Sequence, residues 1–207
     1  MDLLDQIART RRQVTDHGTT KAVILTRTYD TSAVDLWDAW TNPGRLARWF
    51  EPVSGDLREG GRYRLDDSGT TGTIEQCAAP TRLRVTWEYG GDTSHVELTL
   101  SEANGRSILR LEHLVSDDEH WRAYGPGATG VGWDSSMLAL ALHLAGDRRA
   151  EPAQMEKYAT SAEGAEFIRR TAGAWAEAHA GSGADRRRAR ATSERTIAAY
   201  TGAEQWG

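Results

Sequence analysis

Residues 82–115 read RLRVTWEYGGDTSHVELTLSEANGRSILRLEHLV. Three runs in this stretch alternate apolar and polar side chains with period two, the pattern of strands that bury one face. In RLRVTWEY the apolar set is Leu83, Val85, Trp87 and Tyr89, set against Arg82, Arg84, Thr86 and Glu88. In SHVELTL it is Val96, Leu98 and Leu100. In SILRLEHLV one face carries Leu109, Leu111, His113 and Val115, and the other carries Ile108, Arg110, Glu112 and Leu114. Gly90-Gly91-Asp92 and Asn104-Gly105 join the runs, and Asn-Gly between two such runs is a strong hairpin signal. Strands joined this tightly are antiparallel neighbours, so the stretch predicts a meander.

Working outward, KAVILTRTY (21–29), GGRYRL (60–65) and TGTIEQC (71–77) read as further strands, with turn formers at 66–69 and at Ala79-Pro80. Between the first two lies WDAWTNPGRLARWFEP (37–52). Asp30 to Ser32 can cap a helix holding Trp37 and Trp40, which ends near Asn42-Pro43 because proline disfavours helical geometry in the residue before it. A second short helix covers Gly44 to Trp49, and Pro52 stops it. Downstream, residues 116–130 are polar and then glycine-rich, which predicts a loop. A helix from about 131 to 145 carries the stripe Trp133, Met137, Leu140 and Leu144 and ends at Gly146. Residues 146–153 read as a linker. A further helix carries Ala165, Ile168, Ala172, Trp175 and Ala178, Gly181-Ser182-Gly183 breaks it, and a last helix over 185–200 has a thin face of Ala189, Thr196 and Tyr200. At the start, Leu3, Leu4, Ile7 and Val14 predict a short helix over 1–17. The order implies an α+β domain over residues 20–146, preceded by a helical arm over 1–19 and followed by a helical hairpin over 154–201.

The bulk composition narrows the function classes. A chain of 207 residues with 39% hydrophobic and 27% charged residues has the makings of a globular core. Its net charge of -5 argues against non-specific nucleic-acid binding, which needs clustered cations. The one basic run, Arg186, Arg187, Arg188 and Arg190, is flanked by Asp185 and Glu194 with few aromatics, and reads as a solvated helix face. With the single cysteine, Cys77, an intramolecular disulfide is impossible and a cysteine zinc site is not expected. No apolar run follows Arg9, Arg11 and Arg12 as a secretion signal requires, and none approaches the roughly 18 residues of a membrane span. A reducing, cytoplasmic location is the expectation.

Catalytic motifs are scarce. G-x-S-x-G, Walker and G-x-G-x-x-G patterns are missing, and Gly60-Gly61 precedes a strand instead of opening a helix. Glu112, Asp117, Asp118, Glu119 and His120 are acidic and close together, but their spacing matches no helix-borne ligand pair, so a solvated loop is expected and no metal or cofactor. His113 falls on an apolar face, where an imidazole needs a hydrogen-bond partner. Two readings stand open for it: a core histidine held by one partner, or a polar fixture in a ligand cavity.

The order of several short motifs resembles a family. Trp37 to Pro43, Arg45 to Phe50, Gly60-Gly61 with Tyr63, Gly72 with Ile74, Arg82 to Trp87, Leu111 to His113 and Gly132-Trp133 fall in the sequence seen in the activator of heat-shock-protein-ninety ATPase homologue family, within the START-like (SRPBCC, helix-grip) superfamily. The resemblance spans about residues 20–145. It implies a helix-grip fold: a curved antiparallel sheet wrapped around a long C-terminal helix, with a hydrophobic tunnel between them. The hairpin at 154–201 is an addition to that plan. The tunnel so implied would be lined by Trp40, Trp49, Phe50, Tyr63, Trp87, His113, Trp133 and Met137, and would hold a small hydrophobic or amphipathic ligand without catalysis. The alternatives are a cyclase- or hydrolase-type enzyme using His113 as acid-base, and an interaction protein resembling the chaperone ATPase activators. A protein partner or a second copy would then dock through the C-terminal hairpin.

Overall fold

The computed structural model describes residues 2–202. An eight-stranded antiparallel sheet forms the body, in the order β1-β2-β8-β7-β6-β5-β4-β3. The strands are β1 (Thr10–Asp16), β2 (Thr20–Tyr29), β3 (Val53–Gly55), β4 (Arg62–Leu65), β5 (Thr71–Ala78), β6 (Arg82–Tyr89), β7 (Asp92–Ala103) and β8 (Arg106–Ser116). The helices are α1 (Ala33–Thr41), α2 (Pro43–Leu46), α3 (Glu119–Tyr124), α4 (Gly127–Leu144), α5 (Pro152–Ala159), α6 (Ala162–Gly181) and α7 (Arg186–Thr201).

The meander β6-β7-β8 follows the alternation read from the sequence except at the end of β6, where Tyr89, expected on the buried apolar face, is 63% exposed. Val85 pairs with Val96, Leu83 with Leu98, and Leu98 with Leu111, so one apolar face faces inward across three strands. The outer face carries ion pairs instead: Arg82 with Glu97 at 2.8 Å and Arg84 with Glu75 at 2.8 Å. At the β7–β8 turn Asn104 and Gly105 adopt φ values of 55° and 71°. Both central residues of a two-residue type I′ turn need positive φ, and Asn-Gly meets that need at least cost. Strand β2 then pairs with β8, which closes the chain's first long strand onto its last.

The corner between α1 and α2 is made by Asn42. Its backbone N–H donates to Asp38 O, ending α1, while its side-chain oxygen accepts from Gly44 N at 2.9 Å and Arg45 N at 3.3 Å. Pro43 occupies the first turn of α2, where no N–H is missed. One residue therefore caps two helices, and Trp40 and Trp49 are folded against each other with ring centroids 4.9 Å apart.

Helix α4 lies on the inner face of the sheet, and it starts four residues earlier than the sequence predicts. The glycine-rich segment expected as loop is its first turn, and α3 occupies part of the polar stretch before it. The reason is close packing with the hairpin α6–α7. A methyl group on Gly130 would lie 2.2 Å from Trp175 Cε2, and one on Gly127 would lie 3.1 Å from Thr196. The glycines are there to admit α6 and α7, not to break the helix. Because the sheet covers one side of α4 and the hairpin the other, its buried residues encircle it and the expected single stripe is too narrow a description.

A second correction concerns the N-terminus. Only Asp5–Arg9 is helical, as a 3₁₀ turn, and the arm expected as a helix continues as strand β1 along the edge of the sheet. Its Arg12 reaches across to α4: Nε donates to Asp134 Oδ2 at 2.9 Å and Nη2 to Asp134 Oδ1 at 2.7 Å. Trp175 Nε1 on α6 donates to the same carboxylate at 2.8 Å. Burial pushes the Asp134 carboxyl up, and Arg12 and Trp175 oppose that shift. This buried, bidentate ion pair ties β1, α4 and α6 together. The apolar stripe of α6, including Phe167, Ile168, Ala172 and Trp175, is buried within the chain, so that face is not free to pair with a second copy.

Candidate functional site

Between the inner face of β3–β7 and helices α1, α2 and α4 lies a part-open cavity of about 130 Å³. Its floor is Leu83, Val85 and Trp87 of β6 with Val96 and Leu98 of β7. Tyr63 and Leu65 of β4, and Ile74 and Cys77 of β5, form one side. Trp40, Thr41, Leu46, Phe50, Val53 and Leu57 form the other, and Trp133 of α4 closes the top. The wall contains no Asp, Glu, His, Lys or Arg among the described residues.

Two of the polar groups on this wall are already engaged. The Tyr63 hydroxyl donates to Thr86 O at 2.7 Å, and the Thr41 hydroxyl donates to Trp37 O at 2.8 Å. Burial raises the Tyr63 phenol well above its ordinary range, so it stays protonated. The indole N–H of Trp40 is buried without an acceptor. The space thus offers apolar contact and little else, which favours hydrocarbon or aromatic groups over polar ones.

Five of the eight residues expected at the cavity line it: Trp40, Phe50, Tyr63, Trp87 and Trp133. Phe50 stacks on Trp133 with centroids 6.4 Å apart, and Trp87 meets Trp133 edge-on at 5.4 Å. Two others belong to the core behind the wall. Trp49 is 2% exposed and its indole donates to Ala39 O at 3.0 Å. Met137 is fully buried on α4, where its carbonyl accepts from the Tyr29 hydroxyl at 3.2 Å. The eighth, His113, faces a different space.

Cys77 was not expected at this wall. It sits three residues after Ile74, which simple alternation would place on the opposite face. A register shift between Ile74 and Gln76 adds one residue to β5, so Ile74 pairs with Val85 and Cys77 pairs with Leu83, both inward. Such a bulge turns every later side chain over. Cys77 is exposed at the rim as a free thiol. Leu57, 40% exposed in the loop after β3, stands on the same rim. Nothing in the local sequence of 71–78 marks the bulge; the signal lay only in the mismatch between Ile74 and Cys77 as apolar positions.

His113 lies on a second, more polar cavity of about 400 Å³, which also meets Ser94, Asp118, His120 and Trp121. Its ring is 6% exposed and has a partner at each nitrogen. Trp133 Nε1 donates to His113 Nδ1 at 3.0 Å, and His113 Nε2 is 2.8 Å from Ser94 Oγ. An indole N–H can only donate, so Nδ1 accepts and the proton of the neutral ring sits on Nε2. His113 therefore donates to Ser94, whose hydroxyl donates in turn to Trp87 O at 3.3 Å. A serine nucleophile needs the opposite arrangement: a free Nε2 lone pair to take the hydroxyl proton, with an acceptor behind Nδ1. Burial also lowers the His113 pKa to about 4. The ring is neutral, has a partner at each nitrogen, and forms part of the boundary between the two cavities.

The acidic segment next to it has structural partners. Asp117 pairs with Lys21 at 3.2 Å, and Asp118 caps α3 by accepting from Trp121 N at 2.8 Å. Among the described residues no group of three or more His, Cys, Asp or Glu is placed to hold a metal ion. No helix among them is long and apolar enough to cross a membrane.

Comparison with known proteins agrees with this geometry. The solution structure of CalU16 from Micromonospora echinospora is 32% identical, with a TM-score of 0.70, covering 84% of this chain and 96% of that one. Its crystal structure aligns at 31% identity and a TM-score of 0.59 over 71% of this chain and 98% of that one. A conserved protein of unknown function from Enterococcus faecalis, EF2215, shares the fold at 20% identity and a TM-score of 0.59, covering 75% and 91% of the two chains. No curated protein matches significantly. The family model described as activator of Hsp90 ATPase homolog 1-like protein matches residues 30–145, the segment that runs from α1 to the end of α4. With a helix-grip sheet around α4 and more than half of its length matched, the chain belongs to the Hsp90 ATPase activator homolog 1-like family.

Proposed function

We propose that this protein binds a small apolar or amphipathic molecule, with the apolar part seated in the cavity beneath Trp133, and that it does so without catalysing a reaction. The observation that carries this reading is the wall itself: sixteen side chains with no charged group and no imidazole among them. General acid-base chemistry needs a titratable side chain at the substrate; of the two that line the cavity, the Tyr63 phenol is buried and already donates to Thr86 O, and Cys77 stands out at the rim. The His113 alternative has its lone pair committed to Trp133, and a chaperone-directed role has no comparable observation behind it.

Size narrows the ligand. An apolar cavity of roughly 150 Å³ holds one benzene ring, so about 130 Å³ suits one ring or a short alkyl group. A polar end would remain at the rim, beside Leu57 and Cys77, in contact with water. The single cysteine fits a reducing compartment, and we place the protein in the cytoplasm.

Titration with a panel of single-ring aromatics and short alkyl compounds, followed by tryptophan fluorescence, tests the reading. Trp40, Trp87 and Trp133 all border the space, so saturable changes are expected. Leu83→Trp, which puts an indole into the cavity from its floor, should abolish them. The absence of any saturable response in the wild-type chain refutes the proposal.

A further inference from the structure

The two cavities are neighbours. Their walls have a single residue in common, Trp87. Trp133 borders the apolar cavity and His113 the polar one. The three rings are in mutual contact: Trp87 to Trp133 at 5.4 Å, Trp87 to His113 at 6.0 Å, and His113 to Trp133 at 5.9 Å between centroids. Two of them are locked by hydrogen bonds, Trp133 to His113 and His113 to Ser94. Among the described residues the Trp87 indole has no hydrogen-bond partner, and the ring is half-buried with a cavity on either side of it.

We propose that this three-ring partition fixes the length of ligand the protein accepts, and that Trp87 is its specificity-determining residue. The proposal rests on the ligand-binding reading above. An alkyl chain entering from the rim meets Trp133 and Trp87 after filling about 130 Å³. Beyond that point further methylenes stay outside the cavity and gain nothing. Without the Trp87 ring the apolar space would run on into the cavity of about 400 Å³, and longer chains would be taken up. The preferred ligand of the native chain is then a compact apolar group, not a long acyl chain.

The test is a ladder of straight-chain primary alcohols from roughly four to about twelve carbons, the size of one benzene ring falling within it. Binding is read as protection of Cys77 at the rim from alkylation. Each methylene that is buried strengthens binding about fourfold. For the wild-type chain we expect that gain up to about six carbons, where a benzene-sized space is full, and a plateau beyond. Trp87→Ala should keep gaining, binding the ten-carbon alcohol at least about tenfold more tightly than the wild type does. Trp87→Leu, which keeps apolar contact for the strand but removes the ring, should show the same extension and guards against a folding defect in the alanine variant. A wild-type ladder that climbs without a plateau overturns the partition and leaves the ligand-binding reading intact, as does a plateau that both folded variants share with the wild type. Failure of every alcohol to protect Cys77 in all three chains overturns both.

Discussion

Acid should weaken this fold through one buried ring. An unfolded histidine takes up its proton near pH 6.5, whereas His113 in the folded chain does so only at about 4. Protonation would set a new N–H at Nδ1 against the Trp133 N–H that now occupies that lone pair. Above pH 6.5 both states are neutral and the ring contributes no pH dependence. Below it the unfolded chain binds a proton that the folded chain refuses, so stability falls as pH falls. The loss levels off below pH 4 at about 3 kcal/mol, from a shift of roughly 2.5 units at 1.36 kcal/mol each. By pH 5 about 2 kcal/mol is already gone. The assay is urea unfolding at pH 7 and pH 5 for the wild-type chain and for His113→Asn, whose side-chain oxygen can accept from Trp133 but cannot titrate. The other histidines with lowered pKa values, His143 and His179, are common to both chains and cancel in the difference. The wild type should lose about 2 kcal/mol more than the variant between the two pH values. Equal losses, or a His113 ring that titrates near pH 6.5 by NMR, would refute the assigned geometry.

Two further predictions concern the seam that joins the hairpin to α4. Gly130→Ala places a methyl group on the Trp175 ring and should cost about 1–3 kcal/mol despite the better helix propensity of alanine, measurable as a lower Tm and faster proteolysis within residues 152–201. Asp134→Ala strands the Arg12 guanidinium in a buried site and should cost about 3–5 kcal/mol by denaturant unfolding; a loss below about 1 kcal/mol would mean that the pair is not buried as described.

The central fold was legible because each of its strands turns one apolar face inward, onto the core or onto the cavity. Leu83, Val85 and Trp87, or Leu109, Leu111 and His113, announce their side of the sheet by period alone. Strand β1 was not legible: in TRRQVTD only Val14 is apolar, as suits an edge strand whose ladder comes from backbone pairing with β2. Its Arg12 finds its partner 122 residues away in Asp134, and no local pattern encodes that. The glycine-rich segment predicts a loop, and Gly125 does end α3 with a positive φ, but Gly127 and Gly130 lie inside α4 and admit α7 and α6, neighbours that local sequence cannot see. At the candidate site the aromatics were legible as a group, but not which of them face the cavity. Trp40 and Trp49 touch each other, yet Trp40 lines the space and Trp49 sits in the core behind it, which period alone does not distinguish. Cys77 was hidden by the bulge, and the tautomer of His113 by the indole that meets it.

The most direct test of the account is the alkylation rate of Cys77, the only cysteine in the chain and a residue on the rim of the cavity, measured with and without a saturating single-ring aromatic. If an apolar molecule seats beneath Trp133, the rate should fall at least about tenfold when the ligand is present, and Leu83→Trp should remove the effect. An unchanged rate across a panel of such compounds in the wild-type chain would contradict the account.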